Sequence, residues 1–374
     1  MPCGILGRSR VVKIRIPPEV VDHIVSFVLS EHRCFEAVAS LSLTCHSYRE
    51  IAFRRFFCTL SVNKKKKWTH FCQIPGMFQW VRSLDITTSA ISAAPQILQR
   101  FSRLTALRVD FSTEGLHTHE DYVKLILSNL HTSANLILTP ATKAKKLALP
   151  HILTLEFCFL PSITPHILSM VSIYCPKLEE LVLKCTDRLL PDCCWTCYEE
   201  VASCTTHSPL PDVICDVGDL TRAYGKALSP LAPTLVHLHL GIYLSSVDLF
   251  YDHIEHASLP PFPPLPFAFL DNRPYSPSFC DECQTEGYLV EEVRKTELVA
   301  SAQMKLWLPM LENVCWSTWF KRGGDGSCPC TGAERDHETA ACWIRWANDS
   351  GAGDAGGEER EVEVARMPWP AKVE

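Results

Sequence analysis

The residue types best able to hold a metal ion gather at Cys194-x2-Cys197-x6-Cys204-x2-His207. Ligands two residues apart can share one turn, so two such pairs suit a tetrahedral zinc, with Cys193 as an adjacent competitor. Cys280-x2-Cys283, with Cys328, Cys330 and His337 far downstream, is a looser second set. Neither has the flanking aromatic and glycine pattern of a known finger. Both interrupt a chain of nineteen cysteines, so loop thiols without metal are the expectation and the expected cofactor set is none. His237 and His239 alternate on one strand face, and His253 and His256 stand at helical i, i+3 spacing. No carboxylate or cysteine is placed to complete either pair, which favours solvent-facing or recognition histidines. There is no G-x-S-x-G elbow, phosphate-binding loop, dinucleotide fingerprint or H-E-x-x-H helix, so no catalytic residue is assigned and a non-enzymatic role is expected.

Composition narrows the partners. A net charge of −6 and a pI near 6.2 make no electrostatic case for nucleic acid or an anionic membrane, so a protein partner is expected. Hydrophobic content is 47%, yet no window approaches the ~18 apolar residues of a membrane span. The apolar run in MPCGILGRSRVVKIR is too short for a secretory leader, and basic residues follow it rather than precede it. A soluble, intracellular chain, cytoplasmic or nuclear or both, with reduced thiols packed as small hydrophobes, is the consequence.

The elements that must position any binding surface begin at Ile16. A proline pair opens a helix where a missing N–H is harmless, and Glu19 sits near the positive end of its dipole. Val20, Ile24, Phe27 and Val28 form one stripe, Phe35, Val38 and Ala39 a second, and Tyr48, Ile51, Ala52, Arg55 and Phe56 a third. Three short helices over 16–62 close only a small core, and a core of that size leans on a neighbouring domain or a partner. The order Ile16-Pro17-Pro18-Glu19, Ile24, Phe27, Leu29, then Leu41-Ser42-Leu43-Thr44-Cys45-His46-Ser47-Tyr48-Arg49, resembles the F-box. Ile16 stands where leucine is commoner in that family, and Tyr48 where tryptophan is commoner.

Residues 1–15 are expected to be a flexible terminus, and 63–80, with its run Lys64 to Lys67, a solvated linker. From Val81 a frame of apolar residues spaced x, x+3, x+5 recurs: Val81-Leu84-Ile86, Leu104-Leu107-Val109, Ile152-Leu155-Phe157, Leu178-Leu181-Leu183, Leu235-Leu238-Leu240 and Leu311-Val314-Trp316. Its centres at 84, 107, 155 and 181 are 23, 48 and 26 residues apart, about one, two and one units of a short repeat. Helical patterns precede most frames, at Pro95 to Phe101, Asp121 to Leu130, Pro165 to Tyr174, Leu220 to Leu228 and Val293 to Leu306. Units of helix, turn and strand, stacked in parallel, would bury the leucines and expose alternate residues as one concave sheet. This is similar to the leucine-rich repeat family. The expected fold class is therefore α/β: a three-helix F-box at 16–62, an irregular repeat array over 81–320 with helices outside, and a disordered, glycine- and charge-rich tail at 321–374. Insertions interrupt the array at 186–217, which is rich in cysteine and proline, and at 256–279, which holds seven prolines. The combination resembles F-box receptors of fungal type.

That resemblance implies a non-catalytic subunit of a ubiquitin ligase. The helices would bind a Skp-family adaptor, and through it a cullin, using Ile16, Pro17, Pro18, Ile24, Phe27, Leu41, Leu43, Cys45 and Tyr48. A protein substrate would lie on the outward strand positions Arg108, Asp110, Glu156, Val182, Lys184, His237 and His239, whose mixed signs suit a polar epitope rather than a phosphate cluster. A repeat scaffold unconnected with ubiquitination is the alternative.

Overall fold

The computed structural model describes residues 16–32, 34–115, 117–131, 152–185, 217–244 and 287–317, together with the backbone of two further strands at Thr339–Trp346 and Val362–Arg366. The architecture is α/β, with seven parallel strands and helices.

Three helices come first: α1 (Pro18–Glu31), α2 (Glu36–Ser42) and α3 (His46–Phe56). Pro17 is extended, with ψ 141°, and Pro18 takes the first helical position, so the chain enters α1 without losing a hydrogen bond. Val21 and Val25 of α1, Val38 of α2 and Ile51 and Ala52 of α3 form a small closed core, flanked by Val28, Leu29, Phe35, Leu41 and Tyr48. The inner face of α1 is thus one residue out of phase with the stripe expected from the sequence: Val21 and Val25 are buried, and Val20, Ile24 and Phe27 point to solvent.

The sheet follows in chain order. β1 (Thr59–Val62), β2 (Ser83–Thr87), β3 (Ala106–Asp110), β4 (Thr154–Leu160), β5 (Glu180–Cys185), β6 (His237–Tyr243) and β7 (Asn313–Ser317) pair in parallel, each beside its sequence neighbour. Parallel neighbours require a crossover over one face. The described crossover helices are α4 (Lys65–Phe71), α5 (Met77–Trp80), α6 (Thr88–Ile91), a 3-10 turn at Pro95–Arg100, α7 (His119–His131), α8 (Pro165–Tyr174), α9 (Val217–Leu228) and α10 (Gly287–Trp307). α8 shows why they start where they do: Pro165 opens it, and the Thr164 hydroxyl accepts from the Ile167 N–H at 3.3 Å.

Register stacks the frame residues into two buried rows. Leu60, Leu84, Leu107, Leu155, Leu181, Leu238 and Val314 form one, and Val62, Ile86, Val109, Phe157, Leu183, Leu240 and Trp316 the other. Both rows belong to one continuous core with the crossover helices. Trp316 keeps its polar edge satisfied inside it, donating to Ser301 Oγ at 2.9 Å.

Four expectations are corrected. Residues 63–80 are no linker: they form α4 and α5, because Trp68, Met77 and Phe78 each find a place in the sheet core, Trp68 lying 6.0 Å from the Phe101 ring. The helical unit ends at Phe56, since Thr59–Val62 is the first strand of the sheet. The span 321–374 is not wholly without structure: β8 (Thr339–Trp346) and β9 (Val362–Arg366) pair antiparallel with β7 and with each other, so the sheet is not parallel throughout. Val217, assigned to the first insertion, is the opening residue of α9. The rest of that insertion, all of 256–279 and residues 1–15 lie outside the described residues.

Candidate functional site

Two surfaces carry the side chains that sequence reasoning picked out. The first is the outer side of the N-terminal helices. Ile16 is 42% exposed, Val20 45%, Ile24 47%, Phe27 64% and Leu43 74%, while the core beneath is closed by other residues. Val20, Ile24 and Phe27 follow i, i+4, i+7 spacing, so they form one outward stripe on α1. Pro17, Pro18 and Cys45 are also exposed. Leu41 and Tyr48 are placed differently from expectation: both are half-buried against the small core, and the Tyr48 hydroxyl donates to the Ile16 carbonyl at 3.3 Å. Tyr48 therefore ties down the chain entering α1, a role that its hydroxyl makes possible and a tryptophan would not fill in the same way.

Electrostatics hold α1 against α3. Asp22 Oδ1 accepts from Arg54 Nη2 at 2.9 Å and from Arg55 Nε at 2.8 Å, and Arg55 Nη2 completes a bidentate pair with Oδ2. The Arg55 hydrogen bond, aided by Arg54, holds the Asp22 carboxyl far below the usual carboxylate range against the opposing effect of burial. The pair thus fixes α1 on α3 with its apolar stripe in water.

The second surface is the sheet face opposite the crossover helices. Among the described residues of β1 to β7 its positions are exposed or half-buried, apart from Cys158 and Gly241. One register row runs Ser61, Asp85, Arg108, Glu156, Val182, His239, Cys315, and the row before it Thr59, Ser83, Ala106, Thr154, Glu180, His237, Asn313. All seven outward positions expected to meet a substrate are brought onto this face: Arg108 is exposed, and Asp110, Glu156, Val182, Lys184, His237 and His239 are half-buried.

Glu156 is the hub. Its Oε1 lies 3.2 Å from Lys184 Nζ and its Oε2 3.6 Å from Arg108 Nε. The Cys158 thiol donates to Glu156 Oε1 at 3.2 Å, and Arg108 Nε–H donates to Cys158 Sγ at 3.4 Å. Burial acts to raise the Glu156 carboxyl, but Lys184, the Cys158 hydrogen bond and Arg108 together hold it below its ordinary value. Burial, reinforced by the Glu156 charge, pushes the Cys158 thiol up to about 11, so it stays protonated at neutral pH and is no nucleophile. The neighbouring acids have neutral partners: Ser61 Oγ donates to Asp85 Oδ2 at 2.9 Å, and the Ser112 N–H to Asp110 Oδ1 at 2.8 Å. Asn313 Nδ2 lies 2.6 Å from His237 Nδ1, so the amide donates and the ring accepts at that nitrogen.

Cys194, Cys197, Cys204 and His207 lie outside the described residues, as do the looser cysteine set and His253 and His256. Among the described residues no group of three His, Cys, Asp or Glu side chains is arranged to hold a metal ion, and no helix is long and apolar enough to cross a membrane.

Sequence reasoning missed three contributors. Val20 shares the outward stripe with Ile24 and Phe27, as the i, i+4, i+7 pattern groups it, yet the adaptor set leaves it out because periodicity does not say which side of α1 faces solvent. Cys158 and Phe159 sit at a β-bulge between β4 and β5, where Phe159 adopts φ 59°. No residue type announces a bulge of that kind in advance. No protein-family model and no curated protein matches this chain.

Proposed function

We propose that this chain is the substrate-receptor subunit of a Skp, cullin and F-box type ubiquitin ligase. Its three N-terminal helices would form an F-box that binds a Skp-family adaptor, and the sheet and crossover helices an irregular leucine-rich-repeat array that presents its open face to a protein substrate. One observation carries the reading: Ile16, the α1 stripe Val20, Ile24 and Phe27, and Leu43 at the end of α2 are 42% to 74% exposed although the core of the unit is already closed without them. A stable helical unit has no folding reason to keep that much apolar surface in water, and a partner with an apolar groove supplies one. Ile16, Ile24, Phe27 and Leu43 are among the residues that the F-box resemblance assigns to the adaptor, and Val20 adds to them.

In this role the chain needs no catalytic group of its own. Holding a substrate beside a charged conjugating enzyme raises its local concentration, and that alone accelerates transfer.

The test is direct binding of the purified full-length chain to a purified Skp-family adaptor. Saturable binding that is lost in an Ile24→Ala, Phe27→Ala double variant of unchanged melting temperature is the expected result. A wild-type chain that does not bind the adaptor would overturn it in favour of a scaffold unconnected with ubiquitination.

A further inference from the structure

The open face holds a pair of cations that share one carboxylate. Glu156 engages Lys184 at 3.2 Å and Arg108 at 3.6 Å, in each case from one side. The hydrogen bond and the close ion pair of Arg108 run through Nε, the Asp85 carboxylate of the neighbouring strand acts on it from farther away, and among the described residues the terminal nitrogens of its fork make no hydrogen bond; the side chain is 49% exposed. The Lys184 side chain is 42% exposed.

A second, independent feature lies next to them. Phe159 is held at φ 59°, a left-handed conformation that a bulky residue rarely adopts. It follows Cys158 at the bulge where β4 runs past Lys184 of β5, and it is half-buried without belonging to the hydrophobic core. Strain of this kind persists where the surroundings enforce it, and it gathers at binding sites. The bulge seats the Cys158 thiol between Arg108 and Glu156 and places the half-buried Phe159 next to Lys184 in the register of β4 on β5.

We propose that Arg108, Lys184 and Phe159 form a recognition site for the carboxylate side chain of an Asp or Glu in a bound protein segment, with an apolar neighbour of that residue resting on Phe159. This deepens the receptor role proposed above and rests on it. Charge decides between a carboxylate and a phosphate. Two cations stand here among three carboxylates, Glu156, Asp85 and Asp110, so the surroundings are net negative. A monoanion can take the open fork of Arg108 in a bidentate pair, whereas a dianionic phosphate would meet more repulsion than two cations offset.

The experiment presents the full-length chain with three arrayed pools of short peptides, randomised at the flanks and carrying a central Glu, Gln or phosphoserine. The Glu pool is expected to bind about tenfold more tightly than the Gln pool, the size of one charge-assisted hydrogen-bonded pair. Sequencing of retained Glu peptides should show an apolar residue adjacent to the acid, and that selection should disappear in Phe159→Ala. The Glu preference should vanish in Arg108→Ala, Lys184→Ala and persist in His239→Ala. Should the double variant fail to fold, Arg108→Gln, which keeps the stem and removes the charge, must abolish the preference instead. Equal binding of Glu and Gln pools, a preference that survives loss of the cations, or tighter binding of the phosphoserine pool would each overturn the proposal. Adaptor binding is measured on the same preparations. A chain that selects Glu yet ignores the adaptor would sink the ligase reading alone, and one that binds the adaptor without selecting Glu would sink this inference alone.

Discussion

Neighbouring residues on α1 should separate folding from docking. Val25 is 0% exposed, while Ile24 and Phe27 are 47% and 64% exposed on the other side of the helix. Val25→Ala deletes two methyl groups from a closed core; at ~0.8 kcal/mol each, plus a cavity that a small core only partly collapses, the cost is about 2 kcal/mol. Ile24→Ala and Phe27→Ala remove groups already half in water, and alanine's higher helix propensity offsets part of the loss, so each should change stability by less than about 0.5 kcal/mol. Binding should show the reverse order. If the stripe is the adaptor contact, truncating both anchors should cost about 2 kcal/mol or more of affinity, near thirtyfold, with Val25→Ala affecting binding only through the fraction unfolded. Chemical denaturation and titration with a purified Skp-family protein read the two quantities on the same variants. The reasoning is refuted if the Ile24 and Phe27 variants are as destabilised as Val25→Ala, or if they keep wild-type affinity.

The sheet makes a parallel prediction: Leu181→Ala, at 0% exposure in the buried row, should lose ~2–5 kcal/mol by denaturant melt, and Lys184→Ala, on the open face, less than about 0.5 kcal/mol. Asp22→Asn should lower stability at neutral pH by about 1 kcal/mol, a figure kept small because Arg54 and Arg55 are 55% and 41% exposed. The folded Asp22 carboxyl is depressed, so its stabilisation is complete above the unfolded value near 3.9 and fades as pH falls from there through the folded one; the gap between wild type and Asp22→Asn should therefore begin to narrow only below about pH 4 and keep shrinking as pH falls further. Gly225→Ala should loosen the packing of α9 on α10, because the added methyl would stand 2.8 Å from Trp307 Cβ, an atom that no ring rotation can move; a cost of about 1–3 kcal/mol and increased Trp307 fluorescence mobility are expected.

The frames were legible because their chemistry is redundant. Leu84, Leu107, Leu155, Leu181 and Leu238 occupy one register row, and a row of aliphatic residues at matched spacing can be satisfied in few ways other than a parallel sheet with one buried face. The helices between them followed from 3.6-residue periodicity with Pro165 and Thr164 marking a start. Short elements escaped. α4 carries three lysines in its first turn, and its place depends on Trp68, with Phe71 packed beside Phe57, tertiary contacts that local charge concealed. β8 and β9 escaped for a related reason: their strand pattern lies in a span whose glycine and charge dominate any composition window.

The sites divide along the same physical line. An outward strand position follows from parity, so the seven residues assigned to the open face all reached it. On α1, parity has no counterpart: the helix is apolar on both sides, and periodicity could not say whether Val20, Ile24 and Phe27 or Val21 and Val25 face inward. The smaller β-branched pair fills the core, where three short helices pack closely, and the larger Phe27 is left outside. What turns the Arg108, Glu156 and Lys184 row into a cluster is the bulge at Cys158 and Phe159, which shifts the register between β4 and β5 after Phe157 and lets a buried thiol bridge two charges. Such a bulge depends on what the neighbouring strands leave room for, and so it belongs to the folded sheet rather than to any stretch of sequence.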